Sequence, residues 1–190
     1  MAVSREETHT LADFERFLVK ESDRESNYEL IDGTIVEKAM PTDVHAFIVG
    51  LLIYFLTHHA RQHGLGLPGP ERRFAFPDDT QNSRQPDISQ ILDPSVPFVA
   101  QGPMATVPDI AVEVQSPDDS IISLREKAQF YIARGVRLVW LVFPRQQIVE
   151  VYRPGQDIEM LTVQGTLDGY DVLPGFPLAV AELFLENRGG

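Results

Sequence analysis

Residues Arg137 to Phe143 read Arg-Leu-Val-Trp-Leu-Val-Phe, a nearly continuous apolar run bounded by Gly135 and Pro144. A run of this length, rich in β-branched and aromatic residues, reads as a strand. A strand apolar on both faces has no side to offer water. It belongs at the centre of a sheet with both faces covered, so the chain must supply covering elements. A second segment, Asp109 to Gln115, alternates instead. Ile110, Val112 and Val114 share one face; Asp109, Ala111, Glu113 and Gln115 share the other.

The covering elements are legible. Asp43 to His63 is the clearest helix, with Val44, Phe47, Ile48, Leu51, Leu52, Phe55 and Leu56 at helical spacing and Gly64 to stop it. This stripe is expected to be core. Thr10 to Lys20 reads as a short amphipathic helix capped by Thr10. A third helix starts at Ser120 or Ser123 and ends near Gly135; Ser123-Leu-Arg-Glu126 fits a capping box. Tyr28 to Ile31, Asp32-Gly33 and Thr34 to Glu37 form a hairpin signal, since Asp-Gly suits a type I′ turn. Further strands are expected at Arg72 to Phe76, Pro86 to Leu92, Ile148 to Arg153 and Glu159 to Val163. Leu65 to Pro70, Pro77 to Gln85 and Asp93 to Val107 read as turns or loops. The order implies one mixed α/β domain over residues 1–190, a central mixed sheet flanked by helices with an N-terminal hairpin.

The 190 residues suit a single domain, which buries about 70% of its unfolded surface and needs no cross-links. There is no cysteine, which excludes a disulfide framework, a thiolate zinc site and a cysteine nucleophile, and suits a reducing cytoplasm. The first seven residues show no basic start followed by an apolar run, so no signal peptide is expected. Ala46 to Leu56, the longest apolar stretch, is too short to span a bilayer, and no membrane partner is expected. The net charge of -12 opposes sequence-independent nucleic-acid binding, which depends on Lys and Arg at phosphates.

Glu113 stands on the second face of a core strand, where a charged residue needs a partner or a metal. Asp87, after Pro86 at the start of another strand, is a second such carboxylate. Oxygen donors of this kind suit magnesium, manganese or calcium. Of the three lysines, Lys20, Lys38 and Lys127, the last follows on the third helix. It lies about 40° outside the edge of the stripe formed by Ile121, Leu124, Ala128, Tyr131 and Ile132. From there it can lean towards Glu113, where an ammonium would position a metal-bound water or help its deprotonation.

Pro86-Asp87 followed by Glu113-x-Gln115 resembles the PD-(D/E)xK nuclease signature. The chain as a whole is similar to the Uma-type endonuclease family, a largely uncharacterised bacterial group. The resemblance runs through Tyr28-Glu-Leu-Ile-Asp-Gly33, Pro86-Asp-Ile88, Val112-Glu-Val-Gln-Ser-Pro117, and Lys127 with Tyr131 and Arg134-Gly-Val136. It continues through Trp140-Leu-Val142, Val149-Glu-Val-Tyr152 and Leu173-Pro-Gly-Phe176, and covers roughly residues 10–185. It implies a restriction endonuclease-like core and a homodimer cleaving DNA with Mg²⁺ or Mn²⁺. Asp87 and Glu113 would be the metal ligands and Glu29 an auxiliary acidic residue. The signature's lysine position holds Gln115; Lys127 would substitute for it, and Gln115 would cap or orient Glu113.

Other polar residues carry less. His45 is expected to be partly buried and hydrogen-bonded. His59 and His63, four apart on one helix, lack a third ligand for zinc. Arg72, Arg73 and Arg84 suit phosphate contacts or surface ion pairs equally. The runner-up reading is a catalytically degenerate nuclease-fold module that binds protein or nucleic acid. Nucleotide-dependent, serine-hydrolase and glycosidase chemistry lack their motifs.

Overall fold

A computed structural model describes residues 8–21 and 27–184. The reading of the first seven residues lies outside the described residues. Helix α1 (Leu11–Lys20) is followed by β1 (Tyr28–Ile31) and β2 (Thr34–Glu37), helix α2 (Asp43–His63), then β3 (Gly69–Pro70), β4 (Phe74–Ala75), β5 (Ser83–Arg84) and β6 (Ile88–Gln90). The second half runs β7 (Ile110–Val114), α3 (Ile121–Ala133), β8 (Leu138–Phe143), β9 (Ile148–Tyr152), β10 (Glu159–Leu161), β11 (Thr166–Asp168), β12 (Pro177–Ala179) and a short α4 (Val180–Leu183).

The main sheet has the order β10-β9-β8-β7-β6-β3. The apolar run is β8, and it lies inside the sheet as expected, fully buried along its length. Only β7 and β8 are parallel, and α3 joins them. The alternation of β7 sorts the two faces. Ile110, Val112 and Val114 join Trp140 and Val142 beneath Ile48, Leu52 and Leu56 of α2. On the other face Ala111, Val139 and Leu141 meet Leu124, Ala128 and Tyr131 of α3. This is the mixed sheet flanked by helices that the strand patterns require.

The N-terminal hairpin forms as read. Asp32 and Gly33 both have positive φ (48° and 80°), as a type I′ turn demands. It extends into a second sheet, β2-β1-β5-β4. Thr10 caps α1 and forms a capping box with Asp13.

Four local readings are corrected. Ser83–Arg84, expected in a turn, is a strand, because Ser83 pairs with Leu30 and β4 pairs alongside. Gly69–Pro70, expected in a loop, pairs with β6. Such two-residue strands are set by their partners and leave no periodic signal. Helix α3 starts at Ile121 after Ser120, so Ser123 is interior and the capping box there does not form. Finally, only part of the α2 stripe is core. Ile48, Leu52 and Leu56 are buried, but Val44 is 54% and Phe47 49% exposed. A sheet contacts a narrower arc of the helix than the sequence makes apolar. Length and hydropathy would let α2 cross a membrane, yet its inner edge is packed on the sheet.

The two sides of α2 should therefore respond differently to truncation. Ile48→Ala is expected to cost about 2–5 kcal/mol in urea unfolding. Phe47→Ala, a larger deletion on paper, should cost less than about 1 kcal/mol.

Candidate active site

Four segments deliver carboxylates to one cavity of about 700 Å³. Glu29 comes from β1, Glu71 from the turn after β3, Asp87 from the residue before β6, and Glu113 from β7. Glu71 adopts φ 49°, a left-handed conformation costly for a residue with a Cβ. Glu113 is 3% exposed and Asp87 5%.

Each carboxylate has a partner. Asp87 Oδ2 accepts from the Val114 amide at 2.8 Å and lies 3.0 Å from His45 Nε2 at the start of α2. Its Oδ1 accepts from Lys38 Nζ at 3.2 Å. The same ammonium donates to Glu71 at 3.0 Å and to the Gln85 carbonyl at 2.8 Å. Glu113 Oε1 lies 2.9 Å from Lys127 Nζ and accepts from the Tyr131 hydroxyl at 2.8 Å. Lys127 also reaches Glu29 at 3.1 Å. Two lysines thus divide four carboxylates between them.

The electrostatics follow from burial opposed by partners. For Asp87 burial favours the neutral acid, but the His45 hydrogen bond and the Lys38 charge outweigh it and hold the carboxyl well below its ordinary value. Burial dominates at Glu113, against Lys127, and its carboxyl is pushed up to about 7. Burial also opposes charge on Lys38 and Lys127, yet the surrounding carboxylates hold both ammoniums above their ordinary values. His45 is raised because Asp87 outweighs its burial.

The sequence-derived set divides. Glu29, Asp87, Glu113 and Lys127 line the cavity together. Lys127 reaches Glu113 from the flank of α3, as its angular position predicts. Gln115 does not join them: its amide donates to the Asp119 carbonyl at 3.1 Å and shapes the turn into α3. The alternation that put it on the Glu113 face ends with the strand at Val114. His45 is buried and hydrogen-bonded as expected, and its partner is the expected metal ligand. His59 and His63 stack on each other, with His63 bonded to the His59 carbonyl. Arg73 pairs with Glu15. Arg84 is buried over the Phe130 ring and lines the cavity.

Sequence reasoning missed Lys38 and Glu71. Lys38 follows β2 directly, and its being one of three lysines was the only available signal. Glu71 carried none.

Among the described residues no three His, Asp or Glu side chains are gathered closely enough to share one ion. The donor set is nevertheless all oxygen, with no thiolate, as a hard divalent cation prefers. Counting its rim, the cavity is lined by eight carboxylates against three fixed cations, Lys38, Arg84 and Lys127.

Residues 11–181 match the Uma2 family, described as "Putative restriction endonuclease". The chain belongs to the Uma2 family. A Uma2-like fold is also seen in a crystal structure described as a putative nuclease belonging to DUF820, from Anabaena variabilis ATCC 29413. It has 26% sequence identity and a TM-score of 0.78, covering 92% of this chain and 97% of that one. No curated protein matches. The restriction endonuclease-like fold is therefore the one this Uma2 chain adopts, and a nuclease is the activity its family and neighbour are described by.

Two outcomes test the charge arrangement. Lys38→Met leaves Asp87 and Glu71 without their shared cation; breaking such a buried pair costs about 3–5 kcal/mol. In EDTA the melting temperature should fall by roughly 6–20 °C. Glu113 sets a pH dependence. A carboxyl raised from 4.5 to about 7 in the fold stabilises fully below pH 4.5, and that contribution is lost as pH rises through about 7. His45, also raised, adds the same sign. The metal-free melting temperature should drop from pH 5 to pH 8, and Glu113→Gln should flatten most of that drop in a melting series.

Proposed function

We propose that this chain is a divalent-metal-dependent endonuclease that hydrolyses DNA phosphodiester bonds, with Mg²⁺ or Mn²⁺ held by Asp87 and Glu113. The observation that carries the reading is the charge of the cavity. A phosphodiester is an anion, and eight carboxylates line the space it would enter. Such a substrate is accommodated only with a polyvalent cation between it and the walls. When bound, that cation would lower the pKa of a water and stabilise charge on the phosphate oxygens.

The chain's own groups then have defined work. Asp87 is kept ionised and aimed by the Val114 amide and His45. Lys38 must leave Asp87 Oδ1, and it carries its charge with it on a flexible stem. Tyr131 and Lys127 fix the Glu113 carboxyl. Lys127, kept charged by its carboxylate neighbours, orients the attacking water and stabilises equatorial phosphate charge. Glu29 positions Lys127 from the opposite side. Gln115 acts at one remove, by fixing the turn that starts α3. The same reading takes the protein as a cytoplasmic homodimer.

One observation favours the runner-up, a degenerate module that binds without cutting. Lys38 and Lys127 already neutralise Asp87 and Glu113, and the signature lysine is Gln115. Calorimetric titration separates the two. Mn²⁺ and Mg²⁺ are expected to bind the wild type and not Asp87→Ala. Lys127→Ala should keep the metal and cut plasmid DNA about 10²–10⁴-fold more slowly. Absence of metal binding by the wild type, with and without DNA, would falsify the nuclease reading.

A further inference from the structure

A second cavity adjoins the carboxylate cavity at Glu71. It has a volume of about 390 Å³, shares Asn27 and Glu71 with the first, and is bounded by Tyr28, Gln85, Arg72 and Phe98. Phe98 also lines a third, smaller cavity together with Arg72 and Met104, so the ring borders open space on more than one side. Phe98 is 73% exposed. It stands in the stretch between β6 and β7, where Pro94, Pro97 and Pro103 restrict the backbone. The Arg72 guanidinium lies over its ring, 5.1 Å from the centroid, and donates to the Leu67 carbonyl at 3.2 Å. Among the described residues Arg72 makes no ion pair. An aromatic ring is thus held in water, backed by a cation, on the cavity that adjoins the carboxylates at Glu71.

We propose that Phe98, backed by Arg72, is a stacking platform for an unpaired base, and that the substrate class is single-stranded or locally unpaired DNA. The inference rests on the nuclease reading above. The neighbour of a phosphodiester along its chain is a nucleoside, and the cavity on the other side of Glu71 from the carboxylates is within reach of it. In a duplex each base has both faces covered by its stacked neighbours; only an unpaired base offers a face to Phe98. Charge points the same way. With a net charge of -12 the chain cannot rely on phosphate attraction, which dominates duplex binding. Stacking on an aromatic side chain adds affinity beyond that attraction and accepts any base.

Stacking on one ring corresponds to about 5- to 150-fold in affinity. Fluorescence anisotropy in Ca²⁺ with a fluorescein-labelled oligodeoxynucleotide, single-stranded or annealed to its complement, reads it directly. The wild type is expected to bind the single strand at least about tenfold more tightly than the duplex. Phe98→Ala should lose about 5- to 150-fold on the single strand and stay within about twofold on the duplex; Phe98→Trp should restore binding. Because the ring is exposed, the fold should survive either change, and calorimetric Mn²⁺ affinity should match the wild type. Wild-type preference for the duplex, binding of neither oligonucleotide, or an unchanged Phe98→Ala would each overturn the platform. Its failure is separable from that of the nuclease reading: Phe98→Ala can behave as wild type while Asp87→Ala still loses Mn²⁺ and cleavage. Retention of both by Asp87→Ala overturns the active-site assignment itself.

Discussion

A carboxylate taken out of water must be met by donors on every side, and Asp87 is where that requirement organises this molecule. Its two oxygens receive the β7 backbone, the first turn of α2 and the residue after β2. Three pieces of chain remote in sequence therefore converge on one side chain. The lysine that completes the set carries the demand on to Glu71 and the Gln85 carbonyl. Neither the hairpin nor α2 is free to shift against the sheet without uncovering a buried charge. The second such knot, Glu113 with Lys127, Tyr131 and Glu29, ties α3 and β1 to the same sheet from its other face. The cavity lies between the two knots.

Much of this was legible in the sequence because it is written locally. The continuous apolar run of β8, the alternation of β7, the Asp32-Gly33 turn and the Thr10 cap each follow from neighbours a few residues away. Glu113 stood out because alternation placed a charge on a core face, and Lys127 because it sits at the margin of a helical stripe. What escaped is what only the folded chain brings together. Lys38 looks like any polar residue after a hairpin, and Glu71 like any loop acid. The two-residue strands β3 and β5 exist only because a partner strand passes beside them. Phe47 shows the reverse error, since apolar periodicity marks a face without saying how wide the covering surface is. Gln115 shows the limit of alternation, which holds only while the strand lasts.

The ammonium beside Glu113 belongs to Lys127, while the second residue after Glu113 is Gln115. A lysine two residues after Glu113 would approach from the strand itself, fixed by the pleat. Here the turn Gln115 to Asp119 replaces it, and Ser116 is tied to Asp119 by a 2.7 Å hydrogen bond. The ammonium arrives from the following helix, so its placement depends on how α3 packs. That packing is well determined: Ala128 and Tyr131 are fully buried against the sheet.

Because the parallel pair β7 and β8 is joined only through α3, strand and helix behave as a geared pair. Each residue added or removed within the first turns of α3 would swing Lys127 by about 100° around the helix. The turn before the helix can lengthen without that rotation. Natural length variation around this site should therefore collect in the segment between Gln115 and Ser120. The spacing from Ile121 to Lys127 should behave as a fixed tooth count.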